Sequence, residues 1–333
     1  MRIRRRAAIA GGLGLAGLLS APGLVHAADG QVTFITPQGL RLAFSDVLVA
    51  SAGGYFKAQG LDVRVIGGAS SPQAVQQVVS GQAAVGRTAG ITLLNAVAKG
   101  GALKSIAVDA HGSPFYMISA ASAPVKSPHD LVGATVGLIS QNGPSENTLD
   151  AMMIAEGLDP KSVQRQYVGD NPGAYALVEA GRIRAFTGAI DTLLRARAAH
   201  AQVVAFNTQK YMPLPGQVIF ASDATIAAQP DMLVAFLRGV RQAILAMQAD
   251  TDLKHSLALI RTFPVEGADD DALAIDILRA NLELATMAGP ENILRNVAEN
   301  WSRGVELAVR AGFAEAVPNE KLFTNALIDK ASA

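Results

Sequence analysis

LDVRVIGGASSPQAVQQVVSGQAAVGRTAGITLLNAVAKGGALKSIAVD (Leu61–Asp109) sets the fold class. Leu61 to Ile66 is an apolar run of strand length. Ser71-Pro72 then opens a helix that ends at Gly81, because a serine side chain caps free amide groups and proline suits a first turn. Ala83 to Val85 reads as a short strand, Ile91 to Lys99 as a helix and Lys104 to Asp109 as another strand. Strands and amphipathic helices in alternation are the signature of an α/β fold.

The pattern extends both ways. Upstream, Val32 to Thr36 reads as a strand and Phe44 to Ala52 as a helix stopped by Gly53-Gly54. After Pro114 the cycle restarts: Phe115 to Ala120 extended, Ala134 to Ile139 a strand, Pro144 to Glu156 a helix, Gln166 to Val168 a strand, and a helix opened by Asn171-Pro172 and closed at Gly181. The two cycles echo each other. Gly81-Gln-Ala-Ala-Val85 … Thr92-Leu-Leu94 resembles Gly181-Arg-Ile-Arg-Ala185 … Thr192-Leu-Leu194, each a helix end, a short strand and a loop into the next helix. Gln217 to Ala221 reads as a strand returning to the first cycle. Pro230 to Gln248, Leu253 to Thr262, Asp271 to Met287 and Glu291 to Ala311 read as tail helices. The expected architecture is two α/β lobes. Lobe I is discontinuous, residues 28–113 with 218–333; lobe II is 114–217. Crossing strands near 113–118 and 217–222 form a hinge.

The first residues point to export. Arg2, Arg4, Arg5 and Arg6 precede an apolar run from Ala7 to Leu19, followed by Pro22 and the small-residue site Val25-His26-Ala27. This is the layout of a signal peptide over residues 1–27, with a core shorter than the roughly 20 residues of a membrane span. The expected location is the periplasm, reached by the Sec or the twin-arginine route. Removing four of the 28 basic residues leaves 24 against 28 acidic ones, a net charge of −4. That balance offers no footprint for nucleic acid. The absence of cysteine excludes disulfides, thiolate chemistry, zinc–thiolate sites and a lipid-bearing cysteine, so no stable membrane anchor is expected. At 333 residues and 50% hydrophobic composition, the chain can build two sizeable cores.

Strand-to-helix turns of open α/β sheets place ligands at strand ends, where helix amides are free. The turns here supply Gln38, Ser70 and Ser71, Thr88, Asn142 and Gly143, and Asn171 as candidate ligand-binding residues. Each is equally a helix cap taken singly. His111, His129, His200 and His255 show no metal-ligand spacing, and only His111 falls near the expected cleft. No nucleophile elbow accompanies a plausible base. The chain reads as a binding protein rather than an enzyme, without metal or cofactor.

Gly54-Tyr-Phe-Lys-Ala-Gln-Gly-Leu-Asp-Val63 resembles a segment of the periplasmic solute-binding proteins for aliphatic sulfonates, nitrate, taurine and thiamine-type pyrimidines. Further segments follow in the same order: Leu93–Gly100, Ser113–Tyr116, Val125–Gly137, Gly157–Pro160 and Glu179–Phe186. The resemblance covers about residues 30 to 240 and implies a two-lobed clamshell of the type II periplasmic-binding fold. It implies delivery of a small solute to an ABC permease and its ATPase by a monomer. A ligand-sensing subunit or an exported enzyme on the same fold is the alternative. A fungal pyrimidine synthase of this fold depends on a cysteine-rich motif that this chain cannot supply. Ser113 joins the candidates by this resemblance. Arg87 stands where the family carries a small or apolar residue, and Arg41 opens the first helix. Around Ala189-Ile190-Asp191 the chain lacks the Trp-Glu-Pro of many relatives. An organic anion gripped by Arg87 or Arg41 is therefore expected, with Asp191 also at the site. Alternatively, Arg87 pairs with an acid such as Asp109.

Overall fold

In the computed structural model, residues 31–171, 173–199 and 202–333 are described; the expected signal peptide and His200 lie outside them. The strands are β1 (Gln31–Thr36), β2 (Asp62–Gly67), β3 (Val85–Thr88), β4 (Leu103–Ala110), β5 (Phe115–Ala120), β6 (Thr135–Leu138), β7 (Gln164–Tyr167), β8 (Ala185–Ala189), β9 (Val203–Asn207) and β10 (Gln217–Ser222). Between them run α1 (Ser45–Ala52), α2 (Tyr55–Ala58), α3 (Ser71–Val79), α4 (Gly90–Ala98), α5 (Pro144–Ala155), α6 (Ala174–Glu179) and α7 (Ile190–Ala199). The tail adds α8 (Asp223–Ala228), α9 (Pro230–Ala249), α10 (Lys254–Ile260), α11 (Asp271–Thr286), α12 (Ala298–Arg310), α13 (Asn319–Leu322) and α14 (Ala326–Ser332).

The strands form two five-stranded sheets, in the orders β2-β1-β3-β10-β4 and β7-β6-β8-β5-β9. The orders are equivalent position by position. In each, three parallel strands are followed by one antiparallel strand that also pairs antiparallel with the edge. The antiparallel strand is β10 in the first sheet and β5 in the second, each entered directly after the chain crosses from the other sheet. The sequence echo falls on equivalent elements: Gly81 leads into β3 and α4, Gly181 into β8 and α7.

Side chains alternate across each sheet, as strand geometry requires. Phe34 and Ile219 face a core built with α1, α9, α10, α11 and α14. Their neighbours Ile35, Val218 and Phe220 face a second core with α3, α4, α12 and α13. In the second sheet Met117 packs toward α5 and Ile118 toward α6 and α7. The C-terminal helices therefore complete the first lobe on both faces.

The chain crosses between sheets at residues 111–114 and 208–216. The crossings brace one another: Gly216 N donates to Ala110 O at 2.8 Å, Ser113 Oγ lies 3.1 Å from Thr208 Oγ1, and Asn207 Nδ2 donates to Ser113 O at 3.0 Å. A Cβ at Gly216 would run into the Gly112 carbonyl, so close approach explains this glycine.

Several boundaries differ from the sequence expectation. The strand expected at Ala83–Val85 runs Val85–Thr88, so Arg87 lies inside it rather than after it. The helix expected from Glu291 starts at Ala298. A short 3-10 turn, Pro290–Asn292, precedes it, and Leu294 then adopts φ +64 and bridges Val108 of β4 before the helix begins. The helix expected after Asn171-Pro172 starts at Ala174, and β9 and α8 carried no expectation.

Candidate functional site

The strand-end turns of the two sheets face each other across a cavity of about 310 Å³. The first lobe contributes residues 37–41, Ala43, Phe44, Ala69 to Ser71, Arg87 and Ala110. The second contributes Ile139, Ser140, Gly169, Asp170 and residues 189–191. Pro114 of the crossing and Phe115 at the start of β5, with Pro144, Gln217, Glu266 and Asn281, complete the wall. Leu40, Phe44, Phe115, Ile139 and Ile190 give the cavity a largely apolar lining, as suits a small-molecule pocket.

Its polar groups form two charge clusters. In the first, Arg87 Nη1 donates to Asp46 Oδ1 at 2.8 Å, and its Nε lies 2.5 Å from Asp109 Oδ2. The guanidinium also lies over the Phe44 ring, 5.0 Å from the centroid. Two carboxylates thus share one arginine in a buried site. Burial, reinforced by Asp46 and opposed by Arg87, pushes the Asp109 carboxyl up to about 7.

The second cluster spans the lobes. Arg41 of the first lobe donates from Nη1 to Asp170 Oδ2 (2.8 Å) and Gln38 Oε1 (3.0 Å), and from Nη2 to the Asp170 carbonyl (2.6 Å). Asp170 Oδ1 accepts from Ala189 N (3.2 Å) and Thr192 Oγ1 (2.6 Å) at the start of α7. Asp191 is 1% exposed; its Oδ2 lies 3.6 Å from Arg41 Nε and 4.0 Å from Arg195 Nη2. Burial and Asp170 raise the pKa of Asp191, against Arg41 and Arg195. Burial opposes the Arg41 charge, but Asp191, Asp170 and Glu266 outweigh it and raise its pKa. From the second lobe, Arg195 reaches back to Glu266, with Nη1 3.3 Å from the carboxylate and Nη2 3.0 Å from the backbone oxygen.

Because the Glu266 side chain is 64% exposed, its carboxylate is screened. The Glu266→Gln variant keeps the backbone bond to Arg195. In denaturant titration it should lose less than about 1 kcal/mol; a larger loss would show that the pair behaves as a buried one.

Of the residues expected at the site, Gln38, Arg41, Ser70, Ser71, Arg87 and Asp191 line the cavity. Ser70 also caps α3 through Gln73 N. Thr88, Ser113, Asn142, Gly143 and Asn171 are outside the lining. Thr88 is fully buried in β3, and Ser113 braces the crossing. Asn142 is exposed with φ +53, Gly143 is the N-cap of α5, and Asn171 ties back to Val168 O at 2.8 Å. His111 Nε2 lies 3.0 Å from Asn292 O, and burial lowers its pKa, so it serves the tail packing. Sequence reasoning read the Gly169-Asp170-Asn171 turn but selected Asn171, whereas Asp170 faces the cleft. Glu266, in the loop between α10 and α11, carried no local signal.

Two α/β lobes of one topology, joined by two crossings around a cavity, are the periplasmic-binding-protein fold. Residues 42–252 match the NMT1/THI5-like family, and the chain belongs to it. A curated relative, the riboflavin-binding protein RibY of Chloroflexus aurantiacus, is 25% identical over 307 residues, covering 90% of this chain and 86% of that one. A Bordetella bronchiseptica protein of known structure superposes with a TM-score of 0.74 at 19% identity, covering 91% of this chain and 97% of its own. The alkanesulfonate-binding protein SsuA from Xanthomonas axonopodis pv. citri, bound to MOPS, gives a TM-score of 0.66 at 14% identity, covering 92% and 99%.

Proposed function

We propose that this chain is the periplasmic solute-binding component of an ABC importer. It closes two lobes (residues 28–113 with 218–333, and 114–217) on a small solute and presents it to a permease. The observation that carries this reading is a cavity lined from both lobes and bridged by Arg41–Asp170 and Arg195–Glu266. Binding rather than catalysis fits its wall, which pairs apolar side chains with a few fixed polar groups. The organic-anion expectation rested on Arg87 and Arg41 as free cations and on the missing Trp-Glu-Pro. Arg87 is held by Asp46 and Asp109, and Arg41 by Asp170, so that class loses its support within the cavity. The relatives' names cover both a sulfonate binder and a riboflavin binder.

Domain closure needs only a few residues to change dihedral angle at the crossings. A thermal-shift screen across sulfonates, nitrate, aromatic acids, pyrimidines and flavins should find a solute that raises the melting temperature, because a ligand of the folded state stabilises by mass action. Small-angle scattering with that solute should show a population shift toward a smaller radius of gyration. Confirmed binding with no closed population enriched would count against the clamshell reading.

A further inference from the structure

The Asp170 carboxylate has the surroundings of a bound anion. Oδ1 accepts from the Ala189 amide at the end of β8 and from the Thr192 hydroxyl in the first turn of α7, and Oδ2 accepts from the Arg41 guanidinium across the cleft. A backbone amide, a hydroxyl and an arginine are donors of the kind that hold carboxylates and other oxyanions. Here the chain supplies the anion itself, from a side chain that is 5% exposed at the cavity wall.

We propose that Asp170 is a built-in anion: it fills the subsite in which a carboxylate or sulfonate would be held, and so restricts the cavity to solutes that bring no anionic group to that end. This deepens the importer reading and rests on the same cavity. Arg41 already spends three of its five N–H donors within the chain, Nη1 on Asp170 and Gln38 and Nη2 on the Asp170 carbonyl, and its Nε lies 3.6 Å from Asp191 Oδ2. An incoming anion would also meet Asp191, whose two carboxylate oxygens are buried at the cavity wall without a hydrogen-bond partner. Those oxygens offer acceptors to an N–H or O–H of the solute. Like charges brought together in a desolvated site are a strong device against the wrong ligand. The solute class is therefore one that is uncharged or cationic at this end, donates hydrogen bonds, and has an apolar body to lie against Phe44, Phe115 and Ile190.

Asp170→Ala removes one carboxylate and leaves its donors in place, a gap of formate size. Calorimetry and thermal shift with sodium formate and sodium methanesulfonate, matched against sodium chloride for ionic strength, compare it with the wild type. Asp170→Ser keeps an oxygen acceptor for Ala189 N and Thr192 and releases Arg41 Nη1 from the carboxylate, and serves should the alanine variant fail to fold. Formate should bind either variant saturably and at least about tenfold more tightly than the wild type, which lacks the vacated subsite. Equal formate affinity in all three proteins, or no saturable binding to either variant, overturns the assignment. So does a wild type that binds methanesulfonate in the cavity as tightly as the variants. That last result, if accompanied by contraction in scattering, would leave the importer reading standing. Conversely, formate rescue with no solute found for the wild type would remove support from the importer reading and keep Asp170 as the occupant of an anion subsite.

Discussion

An Arg87→Ala protein should lose about 3–5 kcal/mol of unfolding free energy near neutral pH, as expected when one partner of a buried ion pair is removed. Asp46 and Asp109 would then face each other in a buried site with no cation between them. The loss should shrink on acidification, because protonating the carboxylates removes the uncompensated charge. The parent protein carries the same sign of dependence. In the folded chain the Asp109 carboxyl sits at about 7, against about 3.9 in an unfolded chain. The folded state therefore binds this proton more tightly. Its stabilising contribution is whole below the unfolded value and is lost as pH rises through about 7. Asp109→Asn should remove that slope and be neutral or stabilising at the alkaline end, since Arg87 keeps Asp46. Urea titrations of the three proteins across this range provide the check. An Arg87→Ala protein as stable as the parent at neutral pH would mean that the arginine compensates no buried charge.

The alternation of elements was legible because strands read as short apolar runs and helices carry their stops in glycine. Ile106 to Val108 in buried β4 announces itself in this way, and so do Val63, Val65 and Ile66 in the half-exposed edge strand β2. β3 was misplaced because the apolar signal stops at Val85 while the strand continues through Gly86, Arg87 and Thr88. Polar residues on a buried strand are invisible to periodicity, and here one of them anchors the cleft. β9, a half-buried edge strand that pairs with β5 alone, carried no expectation although Val203 to Phe206 is itself an apolar run. Turn chemistry located the cleft but could not rank the side chains within a turn. Asn171 and Asp170 are adjacent, and only tertiary folding turns Asp170 toward Arg41, 129 positions away in sequence. The pairing of Arg87 with Asp109 was among the open alternatives, whereas Asp46 as its other partner was not foreseen. It lies on the first turn of α1, where an acid is sufficiently explained by the helix dipole.

The second large effect tests how the tail completes the first lobe. α9, Pro230–Ala249, is long and apolar enough by composition to cross a membrane. Its apolar residues nonetheless form a stripe: Leu233, Phe236, Leu237, Val240, Ala243, Ile244 and Met247 recur at three- and four-residue spacing and are buried. Arg238 points elsewhere, donating to Lys330 O at 3.0 Å. This is the face of a core helix, and Phe236 is its anchor. The ring stacks on Phe34 of β1 at 5.5 Å and on Phe56 of α2 at 4.9 Å, tying the tail to the first strand and to the segment that carries the family resemblance. Phe236→Ala should therefore cost about 3–5 kcal/mol, the range for emptying a fully buried aromatic site. Phe236→Leu, which keeps much of the apolar contact, should cost less. Trp301 makes the measurement specific. It is the only tryptophan and lies fully buried in the core on the opposite face of the same sheet, stacked on Phe323 and donating to Asn296 Oδ1 at 3.1 Å. If the first and last parts of the chain fold as one cooperative unit, the Trp301 fluorescence midpoint must fall in Phe236→Ala, although the two side chains belong to different cores. A midpoint that stays put while far-ultraviolet circular dichroism reports an earlier transition would separate the two faces into independent units, contradicting a single discontinuous lobe.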